Sequence, residues 1–151
     1  MTTQNVKSIS EIQESLRDIL NENVFFKNHD INILCENSKD IDYEIKKAIS
    51  KVGCVCTINT PSLTYQGKLN NFEPSWKLNR ITISFAEIPV TNRGKANYAT
   101  SLDSALVAAE TLAEINTLNL VDINESDMGA YILVTVTFDS NLTFRYEKQT
   151  F

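Results

Sequence analysis

Three cysteines, one histidine and a short acidic run are the side chains here whose types and spacing could do chemistry. Cys54 and Cys56 stand two apart in an apolar run, which in a strand puts both thiols on one face without letting them bond comfortably to each other. Such a pair could give two sulfurs to a zinc ion, but a structural site takes four ligands, and His29 is the one imidazole in the chain. His29 could instead activate Cys35 or Cys54 as a nucleophile. The plainer reading is that all three cysteines are small buried apolar groups in a reducing compartment, since an odd count fits a disulfide framework poorly.

The run Asp122-Ile123-Asn124-Glu125-Ser126-Asp127 opens like a calcium loop. It then places Asp127 where such a loop needs Gly and Leu133 where it needs the closing Glu. What remains is a solvated acidic connection between helix and strand, with a looser divalent site as the alternative. A metal-dependent hydrolase using Asp122, Asp127 and Asp139 would need that ion. Gly53, Gly67, Gly94 and Gly129 stand alone, so neither glycine-rich phosphate cradle exists. The Asn141-Leu142-Thr143 sequon is accidental in a chain without a secretory signal. The expectation is no catalytic residue, no cofactor and no metal: not an enzyme.

The charge is more informative than the chemistry. Residues 1–95 sum to +1, the stretch 96–144 to −7 with no Lys or Arg at all, and the last seven residues to +1. Asp103, Glu110, Glu114, Asp122, Glu125, Asp127 and Asp139 form that stretch's whole charge. A surface that repels or selects something is implied. Specific nucleic-acid binding is not, because the longest basic cluster, Lys46, Lys47 and Lys51, is interleaved with apolar residues as on a solvated helix face. No segment reaches the roughly 20 apolar residues of a membrane span, and the first residues lack a signal peptide's apolar core, so synthesis in the cytoplasm is expected.

The elements that must position these groups read as follows. A length of 151 residues suits a single domain, 1–151, with one core. Ser8-Ile9-Ser10-Glu11 is a capping box that opens an amphipathic helix over 8–22, the main part of an N-terminal segment, 1–23, that could be peripheral. A short strand fits 29–35, a helix 40–52 closed by Gly53, and a buried strand 54–59. Residues 61–76 hold two prolines, a glycine and paired asparagines, which predicts an extended loop or arm. Its Tyr65, Phe72 and Trp76 either serve an interface or fold back as core plugs. Arg80 to Ile88 alternates cleanly, with Ile81, Ile83 and Phe85 inward. An Ala-rich helix follows at 101–116, then strands at 131–138 and 142–146, read as a hairpin around Asp139-Ser140-Asn141. The expected fold is α+β: a single mixed or antiparallel sheet of about four to five strands with two to three helices packed on it.

Residues 76 to 115 carry a resemblance. The string WKLNRITISFAEIPVTNRG followed by YATSLDSALVAAETLAEI is similar to the core block of tail terminator proteins of long-tailed bacteriophages, also called head-to-tail joining or neck proteins. In that family an alternating strand ends in an Asn-Arg-Gly turn, here Asn92-Arg93-Gly94, before an Ala- and Leu-rich helix. The order of elements agrees over about residues 25 to 140. The resemblance implies a virion structural protein, made in the host cytoplasm, that forms a homo-oligomeric ring, a hexamer. That ring caps the tail tube and presents a face to head connector proteins, and DNA passes through it.

Two surfaces then become candidates. Tyr65, Phe72, Trp76 and Arg93 are candidate subunit or partner contacts. Glu110, Glu114, Asp122, Glu125 and Asp127 are a candidate acidic channel face, since carboxylates lining a lumen repel DNA phosphate. An acidic surface that only aids solubility is the bland reading. The rival functional reading is a small acidic cytoplasmic adaptor or inhibitor that binds a basic protein partner, as a monomer or dimer.

Overall fold

The computed structural model describes residues 3–69 and 73–147. In chain order the elements are β1 (Thr3–Val6), α1 (Ile9–Glu22), α2 (Val24–Asn28), β2 (Asn32–Cys35), α3 (Ile41–Lys51), β3 (Cys54–Ile58), β4 (Ser62–Leu69), β5 (Glu73–Glu87), α4 (Pro89–Asn92), α5 (Ser101–Ala113), β6 (Leu118–Asp127), β7 (Ile132–Ser140) and β8 (Thr143–Tyr146).

All eight strands of the described residues join one mixed sheet whose spine is the 15-residue β5. The C-terminal half of β5 pairs antiparallel with β3, where Cys54 faces Glu87, and with β7, where Ile132 faces Glu87. Its N-terminal half pairs antiparallel with β4 and β8. β2 lies parallel beside β3, β1 parallel beside β8, and β6 antiparallel along β7. β6 and β2 thus form opposite edges of the sheet.

The period-2 pattern of Ile81, Ile83 and Phe85 places them on one face with Cys54, Cys56, Ile58, Val134, Val136 and Phe138, all buried. A register shift between Ser62 and Leu63 resets the alternation, so Leu78 and Trp76 face this core as well. α1 contributes Ile12, Leu16 and Leu20, and α2 contributes Phe26, which stacks on Phe85 with ring centroids 6.1 Å apart. α5 presents Ser104, Ala105, Ala108, Ala109 and Leu112, small enough to bring the helix backbone close to the strands. Each fully buried Leu, Ile or Phe contributes about 1.5–3 kcal/mol relative to exposure, so this one face carries most of the apolar stabilisation.

The other face is more open. α3 lies by the β2–β3 end, and its Ile45 and Ile49 line a cavity together with Val55, Ala86 and Leu133. Beyond it the face is polar: Asn59 Nδ2 donates to the hydroxyls of Thr82 and Ser84, both at 3.0 Å.

The expected count of strands and helices is corrected: among the described residues the α+β fold has eight strands and five helices, not four to five and two to three. Within the predicted arm at 61–76, the described residues form β4 and the start of β5, which pair antiparallel. Cross-strand pairing there outweighs the local turn signals of Gly67 and Pro74, and Pro74 lies near the strand start, where its missing N–H is tolerated. The acidic run at 122–127 is not a connection but part of β6, an edge strand that tolerates charge because its outer side meets water. The expected hairpin of the last two strands is also corrected. β7 and β8 do not pair with each other; they follow one another along the same side of β5. α2 and α4 are too short to announce themselves by periodicity, at 5 and 4 residues.

Candidate functional site

The most heavily hydrogen-bonded group in the interior is a carboxylate that the alternation of β5 carries inward. Glu87 continues the series Ile81, Ile83, Phe85 by one more step and is fully buried. Its Oε2 accepts from Asn92 Nδ2 at 2.7 Å and Arg93 Nε at 3.1 Å. Its Oε1 accepts from Ser101 N–H at 3.0 Å, Ser101 Oγ–H at 2.9 Å and Arg93 Nη2 at 3.4 Å.

Each donor comes from a position the sequence dictates. Pro89 opens α4 as its first residue, which turns the chain at the end of β5 and brings Asn92 and Arg93 back toward Glu87. Thr100 caps α5 by accepting from Asp103 N–H at 3.1 Å, leaving Ser101 N–H as one of the unsatisfied donors of the first turn. A buried anion at a helix N-terminus is also favoured by the helix dipole. Asn92 has a second partner, the Ala99 carbonyl at 2.8 Å. Gly53, at φ 88°, packs against Asn92 so closely that an added Cβ would lie 2.4 Å from the Asn92 backbone nitrogen.

The electrostatics follow from this geometry. Burial alone would push the Glu87 carboxyl up, but the hydrogen bonds from Arg93, Ser101 and Asn92 outweigh it and hold the carboxyl below its ordinary range. Glu87 in turn raises Arg93, with smaller contributions from Tyr98 and Glu125. Arg93 is therefore a fold-stabilising residue whose inner side is engaged and whose outer side stays about half exposed. The sequence marks Asn92 only as part of the Asn92-Arg93-Gly94 turn and does not mark Glu87, although the inward parity of β5 is the signal that points to it.

Among the other predicted contacts, Tyr65 and Trp76 lie opposite each other across β4 and β5, with ring centroids 5.1 Å apart. Tyr65 is 49% exposed, whereas Trp76 packs against the core. Phe72 lies outside the described residues.

The predicted acidic set divides by strand parity. Glu110 is exposed on the outer side of α5 and Glu114 is that helix's C-cap residue. On β6, Glu125 and Asp127 pair with Val134 and Ile132 and so share the helix-covered side of the sheet, while Asp122 pairs with Thr137 on the other side. Leu102 and Leu106 on α5, and Leu120 and Val121 on β6, are exposed apolar residues beside these acids.

The candidate chemistry separates too. His29 Nδ1 lies 2.6 Å from the Asn97 carbonyl, and its ring packs on Phe25. All three cysteines are free and buried, and burial, with the Glu87 charge adding to it, pushes the Cys54 thiol up to about 12. Among the described residues no group of three or more His, Cys, Asp and Glu stands close enough to hold a metal ion, and no helix is long and apolar enough to cross a membrane. No protein-family model matches the chain, and no curated protein is similar to it beyond chance.

Proposed function

We propose that this chain is a tail terminator subunit of a long-tailed bacteriophage, forming a hexameric ring on the end of the tail tube and joining it to the head connector. The observation that carries the reading is that the string bearing the resemblance, residues 76 to 115, coincides with one structural unit: most of β5, the Asn92-Arg93-Gly94 turn and α5, tied together at Glu87. A turn held by a buried carboxylate is a reason for its Asn and Arg to recur in a family with no catalytic centre.

The charge supports the same reading. Glu110 on α5 and Glu114 at its end lie in a stretch with no basic side chain. Facing a channel, they would let DNA pass without adhering. The long unpaired edge of β6 and the exposed Leu102, Leu106, Leu120 and Val121 suit a chain that is covered by neighbours.

Negative-stain imaging of the purified chain tests the reading. Annular particles with a central channel are expected. Small featureless particles would favour the acidic adaptor, which needs no ring.

A further inference from the structure

The edge of the sheet opposite the acidic one carries a basic groove. It has a volume of about 390 Å³ and is lined by Asp30, Asn32, Lys51, Val52, Lys95 and Asn97. Asp30 is already engaged by Asn97 Nδ2 at 3.0 Å, and its left-handed backbone, φ 54°, marks the turn into β2. Neither Lys51 nor Lys95 has a carboxylate within ion-pair distance among the described residues. The groove therefore offers two ammonium groups, the Asn32 amide and one apolar wall against a single carboxylate, since Asn97 Nδ2 is spent on Asp30 and on the Asn28 carbonyl at 3.1 Å.

The complementary feature lies at the far end of the sheet. The β6–β7 turn projects Asp127, Met128, Gly129 and Ala130, all exposed, with Met128 at 51%. The turn is ordered from within: Asp127 Oδ1 accepts from Gly129 N–H at 2.9 Å, and Met128 N–H donates to the Tyr131 carbonyl at 2.9 Å. It thus presents a carboxylate and a flexible apolar side chain at little further cost in order.

Register puts turn and groove at one level. Asp127 pairs with Ile132, Ile132 with Glu87, and Glu87 with Cys54; Val55, the next residue, pairs with Asn32 in the groove. Contact between the two features on successive copies needs almost no translation along the strands. A head-to-tail contact without such a rise closes into a ring when the rotation between copies closes, whereas a contact with a rise winds into a filament.

We infer that the Asp127–Met128 turn of one copy seats in the Lys51–Lys95 groove of the next, Asp127 between the two ammonium groups and Met128 against Val52. The inference rests on the ring reading above and names its subunit contact. A second copy is the occupant because this chain supplies both complementary charges, at opposite unpaired sheet edges and at matching height.

Sedimentation velocity on charge-reversed full-length chains tests it. Asp127→Lys alone, and Lys51→Glu with Lys95→Glu alone, should each weaken self-association roughly tenfold or more, and an equimolar mixture of the two variants should restore it. Asp127→Asn, which keeps the turn's hydrogen bond, should weaken assembly without changing the circular dichroism. Folded variants that assemble like the wild type, or a mixture that fails to assemble, would overturn this contact and leave the ring reading standing. A wild-type chain that stays monomeric throughout would overturn both.

Discussion

Arg93 holds Glu87 with two nitrogens, Nε to Oε2 at 3.1 Å and Nη2 to Oε1 at 3.4 Å, although one partner is about half exposed and the other fully buried. The pair lets a carboxylate remain charged inside the protein. The arginine of the Asn92-Arg93-Gly94 turn therefore acts on the fold, and through the fold on whatever surface α5 presents.

Glu87→Gln should destabilise the protein by about 2–4 kcal/mol at neutral pH, because an amide cannot satisfy five donors and turns its own donor toward Arg93 or Asn92. The pH dependence follows from the lowered folded pKa. The Glu87 contribution is complete above its ordinary value of 4.5 and is lost as pH falls through the lower folded value. Urea unfolding at neutral pH and at about pH 3 should thus show a gap between wild type and variant that narrows in acid. A gap independent of pH would contradict a charged Glu87.

Gly53→Ala should cost at least about 2 kcal/mol, since the left-handed backbone strains any Cβ and the Asn92 backbone already occupies its space. Asn92→Ala should cost about 1–3 kcal/mol by removing a buried donor shared between Glu87 and Ala99. Thermal unfolding of both variants checks these values. The double variant should lose less than the sum, because the two residues touch.

Iodoacetamide at mildly alkaline pH should leave Cys35, Cys54 and Cys56 unmodified in the folded protein and label all three in denaturant. Burial raises all three thiols, Cys54 to about 12, so little thiolate is present. Mass spectrometry of the alkylated chain decides it. Rapid labelling of Cys54 under native conditions would revive a reactive-thiol role.

Tyr65→Ala should shift the emission of Trp76, the sole tryptophan, to longer wavelength by opening the ring to water, while changing stability by less than about 1.5 kcal/mol. Fluorescence and thermal melts report the two effects separately. If assembly covers Tyr65, the red shift should shrink on oligomer formation.

How much of this was legible in the sequence depends on where each element takes its stability. Ser8 caps α1 as expected, accepting from Glu11 N–H at 3.3 Å, because that bond is local. Ile81, Ile83 and Phe85 show as a strand because a half-buried sheet imposes period 2. Glu87 belongs to the same series but hides behind the habit of reading a carboxylate as exposed. β4 loses its period-2 pattern to register shifts at Ser62/Leu63 and Tyr65/Gly67, and β6 carries the polar side chains an edge strand requires, so neither is visible in a local window. The acidic set reads as one surface in one dimension. Strand parity separates Asp122 from Glu125 and Asp127, and only the register reveals it.

Native mass spectrometry of the full-length chain, at low salt and up to the highest soluble concentration, tests the proposed role most directly. A tail terminator subunit should give a closed hexamer, with Glu110→Lys combined with Glu114→Lys leaving the number of subunits unchanged, because a channel wall is not a subunit contact. A chain that remains monomeric or dimeric at every concentration would contradict the ring and favour an acidic adaptor.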